Sequence, residues 1–256
     1  MLTAYFDETN IDRRVPMVAG YIASSFQWRR FSEQWDKLLR RANVPVDPKY
    51  GKRLVHRNKL QHLKGPFEKW TETDRDDFLT KAYAIIRRHT RMPIGNAVFR
   101  NHFEEVASKS LQTTLGGAYG WCAYACLHSV KAYCDRYNYK EPVEFIFEKG
   151  ALGQGQFKRV IDAYYKYELS RKYFRLGPVS FVGKDVPQLQ AADFLAYDLG
   201  RYALDYELGR TRSSVNTYLH QLLGPTKPKD SEVRFWDEHV LRKHTEALNE
   251  AGLFRD

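Results

Sequence analysis

Three acidic residues stand inside or at the end of the most apolar stretches of this 256-residue chain, and any fold must neutralise them. Asp7 follows Leu2-Thr3-Ala4-Tyr5-Phe6, which reads as a buried strand. Glu148 ends a second such run, Val143-Glu144-Phe145-Ile146-Phe147, just before Lys149-Gly150. Asp193 lies within Leu189-Gln190-Ala191-Ala192-Asp193-Phe194-Leu195-Ala196-Tyr197, a helical pattern in which Leu189 (i−4), Ala196 (i+3) and Tyr197 (i+4) place it on the apolar face. A carboxylate taken out of water costs several kcal/mol, on the order of a lost buried ion pair, unless a positive charge meets it. No basic residue stands at pairing distance on the same elements, so a shared cation is expected. Oxygen-only ligands favour magnesium or manganese over zinc.

Composition narrows the class. The chain is 43% hydrophobic, enough for a sizeable core, and no Pro/Gly/Ser-rich linker divides it, so a single elaborated domain over residues 1–256 is expected. Its net charge of +10 suits polyanionic partners, although a solvated basic surface would give the same balance. No apolar run approaches the roughly 18 residues of a membrane span. With an apolar strand expected from residue 2, no signal peptide is expected, and the three cysteines, Cys122, Cys126 and Cys134, fall in a core-like helical pattern. Reduced structural thiols and a cytoplasmic setting follow as expectations. Zinc binding by Cys122, Cys126 and His128 matches no common spacing.

Periodicity predicts strands over 2–8, 16–24, 53–56, 92–99, 142–148 and 178–182. Thr9 to Arg14 would close a hairpin between the first two. Helices are expected over 26–43, 71–91, 119–137, 156–171, 188–206 and 231–251. Thr71-Glu72-Thr73-Asp74 supplies a capping box for the second. A hairpin followed by alternating helices and strands implies a mixed sheet with helices on its faces. Sites on such sheets form beyond strand ends, here where Asp7 and Glu148 stand.

The motifs Tyr5-Phe6-Asp7-Glu8, Gly20-Tyr21, Leu54-Val55-His56, the strand ending in Glu148-Lys149-Gly150, and Leu189-Gln190-Ala191-Ala192-Asp193-Phe194-Leu195-Ala196-Tyr197 span nearly the whole chain. With them the sequence resembles the bacterial and phage domain-of-unknown-function family 3800. The resemblance implies an α/β, ribonuclease-H-like core and a metal site at Asp7, Glu148 and Asp193; the chain's own pattern adds a C-terminal helical extension from about residue 208. Gln190 and His56 fall on accessory motif positions. Thr9-Asn10 departs from the family's usual Ser-Gly after Asp-Glu, which bears on the turn and not on the acids.

Carboxylates holding one or two divalent ions provide a positioned water, charge neutralisation and relief for a leaving oxygen, which is what phosphodiester hydrolysis requires. Asp7 is the candidate bridging ligand, with Glu148 and Asp193 completing either side. Strand alternation turns Glu8 to the opposite face from Asp7, making it an accessory at most. Glu144 shares the face of Glu148, with exposure the simpler reading. His56, expected to close a short basic strand, is a candidate for proton transfer or an ordinary hydrogen-bonded histidine. His102 carries the same ambiguity. Gln190, one turn before Asp193, would orient it, touch substrate, or serve as a buried amide.

Gly150, Gly153 and Gly155 match neither a dinucleotide fingerprint nor a P-loop and read as a flexible turn. Tyr164-Tyr165-Lys166-Tyr167 and Arg171-Lys172-Tyr173-Phe174-Arg175 interleave aromatics with cations as single-strand binders do, so Lys166, Arg171, Lys172 and Arg175 are candidate contacts to DNA or RNA. The sequence thus points to a magnesium- or manganese-dependent nuclease. A non-catalytic nucleic-acid-binding module and a nucleotide phosphohydrolase are the alternatives.

Overall fold

The computed structural model describes residues 1–9, 14–210 and 231–250. Strands β1 (Leu2–Thr9) and β2 (Met17–Ser24) form the expected antiparallel pair; its connecting segment, residues 10–13, lies outside the described residues. Next come α1 (Ser25–Arg41) and a two-residue ribbon, β3 (Val46–Asp47) with β4 (Lys52–Arg53). A short α2 (Arg57–Gln61), α3 (Glu72–His89) and β5 (Met92–Val98) follow. Helices α4 (Arg100–Val106), α5 (Lys109–Leu115) and α6 (Ala118–Arg136) lead to β6 (Val143–Glu148). The described chain closes with α7 (Gln154–Lys166), α8 (Glu168–Tyr173), β7 (Leu176–Val182), α9 (Pro187–Glu207), β8 (Glu232–Trp236) and α10 (Glu238–Glu250).

The main sheet has six strands in the order β7-β6-β1-β2-β5-β8. β1, β2 and β5 pair antiparallel, while β6 runs parallel to β1, β7 to β6 and β8 to β5. This mixed α/β sheet flanked by helices is compatible with a ribonuclease-H-like fold. Both faces are covered, which is why the central strands read as continuous apolar runs. On one side, Leu2, Ala4, Phe6, Phe145 and Phe147 pack with α6 and α7 residues such as Trp121, Cys126 and Phe157. On the other, Ala19, Tyr21 and Ala97 pack with α1, α3 and α9 through Trp35, Phe78, Phe194 and Leu199. The three cysteines are free and buried.

Local signals account for the helix starts. Ser24 and Gln27 make a reciprocal capping box at α1, and Thr71 and Asp74 make the expected one at α3. Three expectations are corrected. Residues 54–56 are not strand: β4 is only Lys52–Arg53, and His56 is the residue preceding α2. The helix expected over 156–171 divides at Tyr167 into α7 and α8. Of the helical extension expected from about residue 208, residues 211–230 and 251–256 lie outside the described residues, and the part from 231 is not wholly helical, because Glu232–Trp236 is an edge strand on β5. There Val233 and Phe235 face the α9 side while Trp236 joins the opposite core, a period of two that the helical reading overlooked. Trp236 Nε1 donates to buried Asn96 Oδ1 at 3.0 Å, anchoring that strand. Among the described residues, no helix is long and apolar enough to cross a membrane.

Gly20 is required by close backbone approach. A Cβ there would lie 1.7 Å from the Tyr5 carbonyl oxygen on the adjacent strand, whereas one on Gly95 would meet the mobile end of Leu199 at 2.8 Å. Gly20→Ala is therefore expected to destabilise by more than about 3 kcal/mol or prevent folding, and Gly95→Ala by about 1–2 kcal/mol, measured by urea unfolding.

Candidate metal centre

Parallel pairing brings two of the acids together. Register places Phe6 beside Phe147, so Asp7 and Glu148 follow at the same sheet edge, and alternation turns both toward α9. Asp7 is 1% exposed and Glu148 8%. Carboxylate oxygens of Asp7, Glu8 and Glu148 all lie within 4.8 Å of one another. Glu8 joins this group against the expectation drawn from strand alternation. Pairing with β6 ends at Phe6, so the Glu8 side chain reaches around an open strand end, and its backbone N–H donates to Asp7 Oδ1 at 2.8 Å.

Asp193 arrives from α9, which packs across β1 and β2. Its Oδ2 accepts from the backbone N–H of Arg57 at 2.7 Å. It stands outside the tight trio and connects to it through Lys184, a residue that sequence reasoning missed. Lys184 Nζ lies 3.1 Å from Glu148 Oε2, 3.5 Å from Asp7 Oδ2 and 4.0 Å from Asp193 Oδ1. The expected shared cation is thus, in this structure, the chain's own ammonium. The contact to Glu148 Oε2 is ionic without hydrogen-bond alignment, leaving that buried oxygen with no hydrogen bond.

Burial sets the electrostatics. It holds Asp7 well above the usual carboxylate range, assisted by a hydrogen bond to Glu148 and opposed by Lys184. Burial and the neighbouring Asp7 charge push Glu8 up to about 8. Asp193 is raised by burial to about 6, against the pull of Lys184. Lys184 itself is lifted, because the attraction of Asp7, Asp193 and Glu148 outweighs its desolvation. His56 is lowered by burial, partly offset by Asp193.

A second buried charge network supports the first. Arg57 is 1% exposed, pairs with Asp198 at 2.9 Å, and stacks over Tyr197 at 4.9 Å. Tyr83 donates its hydroxyl to Asp198 at 2.8 Å, and Arg57 Nε donates to Tyr83 at 3.2 Å. Asp198 breaks the same apolar helix as Asp193, a signal available in the sequence and overlooked. Gln190 is a buried amide: its Oε1 accepts from Trp35 Nε1 at 3.0 Å and from Val55 N at 3.1 Å. It fixes the segment that delivers the Arg57 N–H to Asp193. His56 immediately precedes α2, within electrostatic reach of Asp193.

Of the carboxylates, Glu8 and Asp193 reach a cleft of about 670 Å³. Glu8, Lys184 and Asp193 line it together with Lys59, His62, Lys64, Tyr197 and Arg201. A larger groove between α1 and α3, bounded by Leu38, Trp70, Phe78 and Ile85, lies away from the acids. The cations proposed from sequence are not brought to the cleft. Lys166, Arg171, Lys172 and Arg175 precede β7 or begin its approach, and Leu176 pairs with Val143 while Val182 pairs with Glu148. Arg175, next to Leu176, therefore stands about 20 Å along the strand from Glu148, and none of the four lines the cleft. Lys172 pairs with Glu168 and Arg175 with Asp135. The aromatics beside them, Tyr167 and Tyr173, are exposed. Glu144 accepts from the Thr3 hydroxyl at the other end of β6, away from Glu148. His102 packs edge-on against Phe99.

No protein-family model and no curated protein matches the chain, so the site is read from its own geometry. The donor set fits a hard divalent ion: two buried carboxylates, Asp7 and Glu148, converge with the half-buried Glu8, and one of their oxygens lacks a hydrogen bond.

Raised carboxyl pKa values fix the sign of the pH response. The unfolded chain releases its protons first, so metal-free stability falls as pH rises from about 4 toward 8, through Asp193 at about 6 and Glu8 at about 8. His56, lowered in the fold, opposes this weakly below its ordinary value. In thermal melts without metal, Asp193→Asn is expected to raise or preserve Tm at pH 8 and flatten the pH dependence, since an amide oxygen still accepts from Arg57. Asp198→Asn should instead destabilise by about 3–5 kcal/mol, leaving Arg57 buried without its counter-charge.

Proposed function

We propose that this chain is a divalent-metal-dependent nuclease, hydrolysing nucleic-acid phosphodiesters with magnesium or manganese held by Asp7, Glu8 and Glu148. The observation that carries the reading is the pairing of opposites in one cleft. Glu8, of the carboxylate trio, and Asp193 line it, with Asp7 and Glu148 buried behind Glu8 and Lys184, and Lys59, Lys64 and Arg201 line it as well. A small neutral substrate has no use for that rim; a polyanion does. The bound ion would supply a Lewis acid and a water of lowered pKa.

The protein's part is positioning. Asp7 and Glu148 project from strand ends fixed by the β1–β6 register, so their oxygens are preorganised. Asp193, locked by the Arg57 N–H, adds negative charge on the α9 side. Lys59, Lys64 and Arg201 would seat phosphates along the cleft. His56, kept neutral by burial, is available to accept or return a proton near Asp193. Membership of the family resembled by the sequence motifs, and a cytoplasmic setting, belong to the same proposal.

A non-catalytic nucleic-acid-binding module is favoured by one observation, the Lys184 ammonium already neutralising the acids. Labelled DNA and RNA incubated with magnesium or manganese separate the two readings. The nuclease reading expects cleavage that chelator abolishes and that Asp7→Asn lowers about 10³-fold. It also expects Lys64→Ala and Arg201→Ala to weaken binding, each reducing the salt slope by about one. Salt-dependent binding with no cleavage of any substrate would establish the binding module instead.

A further inference from the structure

Lys184 is not a passive surface cation. Its ammonium approaches carboxylates from three separate elements, β1, β6 and α9, within 3.5, 3.1 and 4.0 Å. No other side chain among the described residues pairs ionically with Asp7, Glu148 or Asp193 at the salt-bridge distance of 4.0 Å or less. Apart from these contacts of its ammonium, the lysine is positioned by its backbone. It follows β7 by two residues, and β7 ends with Val182 beside Glu148. A turn closed by Val186 N–H donating to the Gly183 carbonyl at 3.3 Å carries it into α9. Asp185 on that turn pairs with Lys52 at 2.9 Å, pinning the loop from outside. The four-carbon stem has free rotors and the side chain is 30% exposed at the cleft, so the head has a path to solvent without backbone movement.

Two cations cannot share these oxygens. An ammonium 3–4 Å from three carboxylates would lie against a divalent ion bound by the same groups and be repelled by it. Glu148 Oε2 is held by charge alone, with no hydrogen bond to break.

We propose that Lys184 is a resident counter-ion of the metal-free site, displaced when a divalent ion binds and turned into the cleft, where it contacts the phosphate of a bound nucleic acid. The proposal rests on the metal-dependent reading of the same carboxylates. It assigns Lys184 two exclusive positions: over the acids without metal, and beside Lys59, Lys64 and Arg201 with it. Metal affinity is then lowered by competition from the ammonium, and the freed charge becomes available to substrate only once the ion is in place. Substrate binding and metal binding are thereby coupled, each favouring the same lysine position.

Manganese titration of the full-length protein by calorimetry, with no nucleic acid present, provides the test. Lys184→Met removes the competitor and is expected to bind manganese about tenfold or more tightly, while melting lower without metal. Lys184→Arg, retaining the charge, should stay near wild type. In calcium, Lys184→Met should bind single-stranded DNA more weakly, with a salt slope lower by about one; without divalent ion its slope should match wild type. Should Lys184→Met fail to fold, the Lys184→Met/Asp193→Asn double variant, compared with Asp193→Asn alone, makes the same manganese comparison with one fewer uncompensated charge. Unchanged or weaker manganese affinity on loss of the ammonium would overturn the proposal while leaving the metal site standing. Manganese binding by neither wild type nor variant would overturn both.

Discussion

The parallel pairing of β1 with β6 is the constraint on which the rest depends. Two strands joined by a long crossover point the same way, so their C-terminal ends meet at one sheet edge. The register that sets Phe6 against Phe147 then delivers Asp7 and Glu148 side by side, and covering helices remove water from around them. An antiparallel pair would send the two acids to opposite edges. Gly20 matters for the same reason, since its missing side chain lets β2 lie close enough to β1 to hold that strand in place.

Two buried charge groups share α9 and differ in how they are satisfied. Asp198 has both Arg57 and the Tyr83 hydroxyl, and Arg57 also stacks on Tyr197, so every strong partner is met inside the fold. The Asp7–Glu8–Glu148 group has one ammonium for several carboxyls, a raised Asp7, and an oxygen with no hydrogen bond. Burial without full compensation is the contrast with Asp198 on which the proposed metal site rests. The two groups also meet physically: Arg57 braces Asp198 with its side chain and Asp193 with its backbone N–H.

Much of this was legible from residue types and period. Long apolar runs gave β1, β2, β5 and β6, and the helical spacing of Leu189, Asp193 and Tyr197 gave α9 and its inward acid. Other features were hidden for physical reasons. Lys184 sits in a Gly183-Lys184-Asp185 turn, where a lysine reads as solvated, and only the β6–β7 register brings it over Glu148. Glu8 obeys alternation along the strand but escapes it at the open end. β8 pairs with a strand far away in sequence, so its short alternating run had no local support. The aromatic-cationic stretch around Tyr167 and Arg171 has the composition of a nucleic-acid surface, yet topology carries it to the far end of β7 while Lys59, Lys64 and Arg201, unremarkable in sequence, line the cleft.

The central claim is that these carboxylates form a binding site for a divalent ion and not merely a buried ion-pair cluster. Anomalous diffraction from crystals soaked in manganese addresses it without reference to activity. The account predicts an anomalous peak in coordination contact with Asp7 and Glu148, together with density for the Lys184 ammonium moved away from Glu148 Oε2. No peak at these carboxylates, with Lys184 still seated among them at saturating manganese, would contradict it.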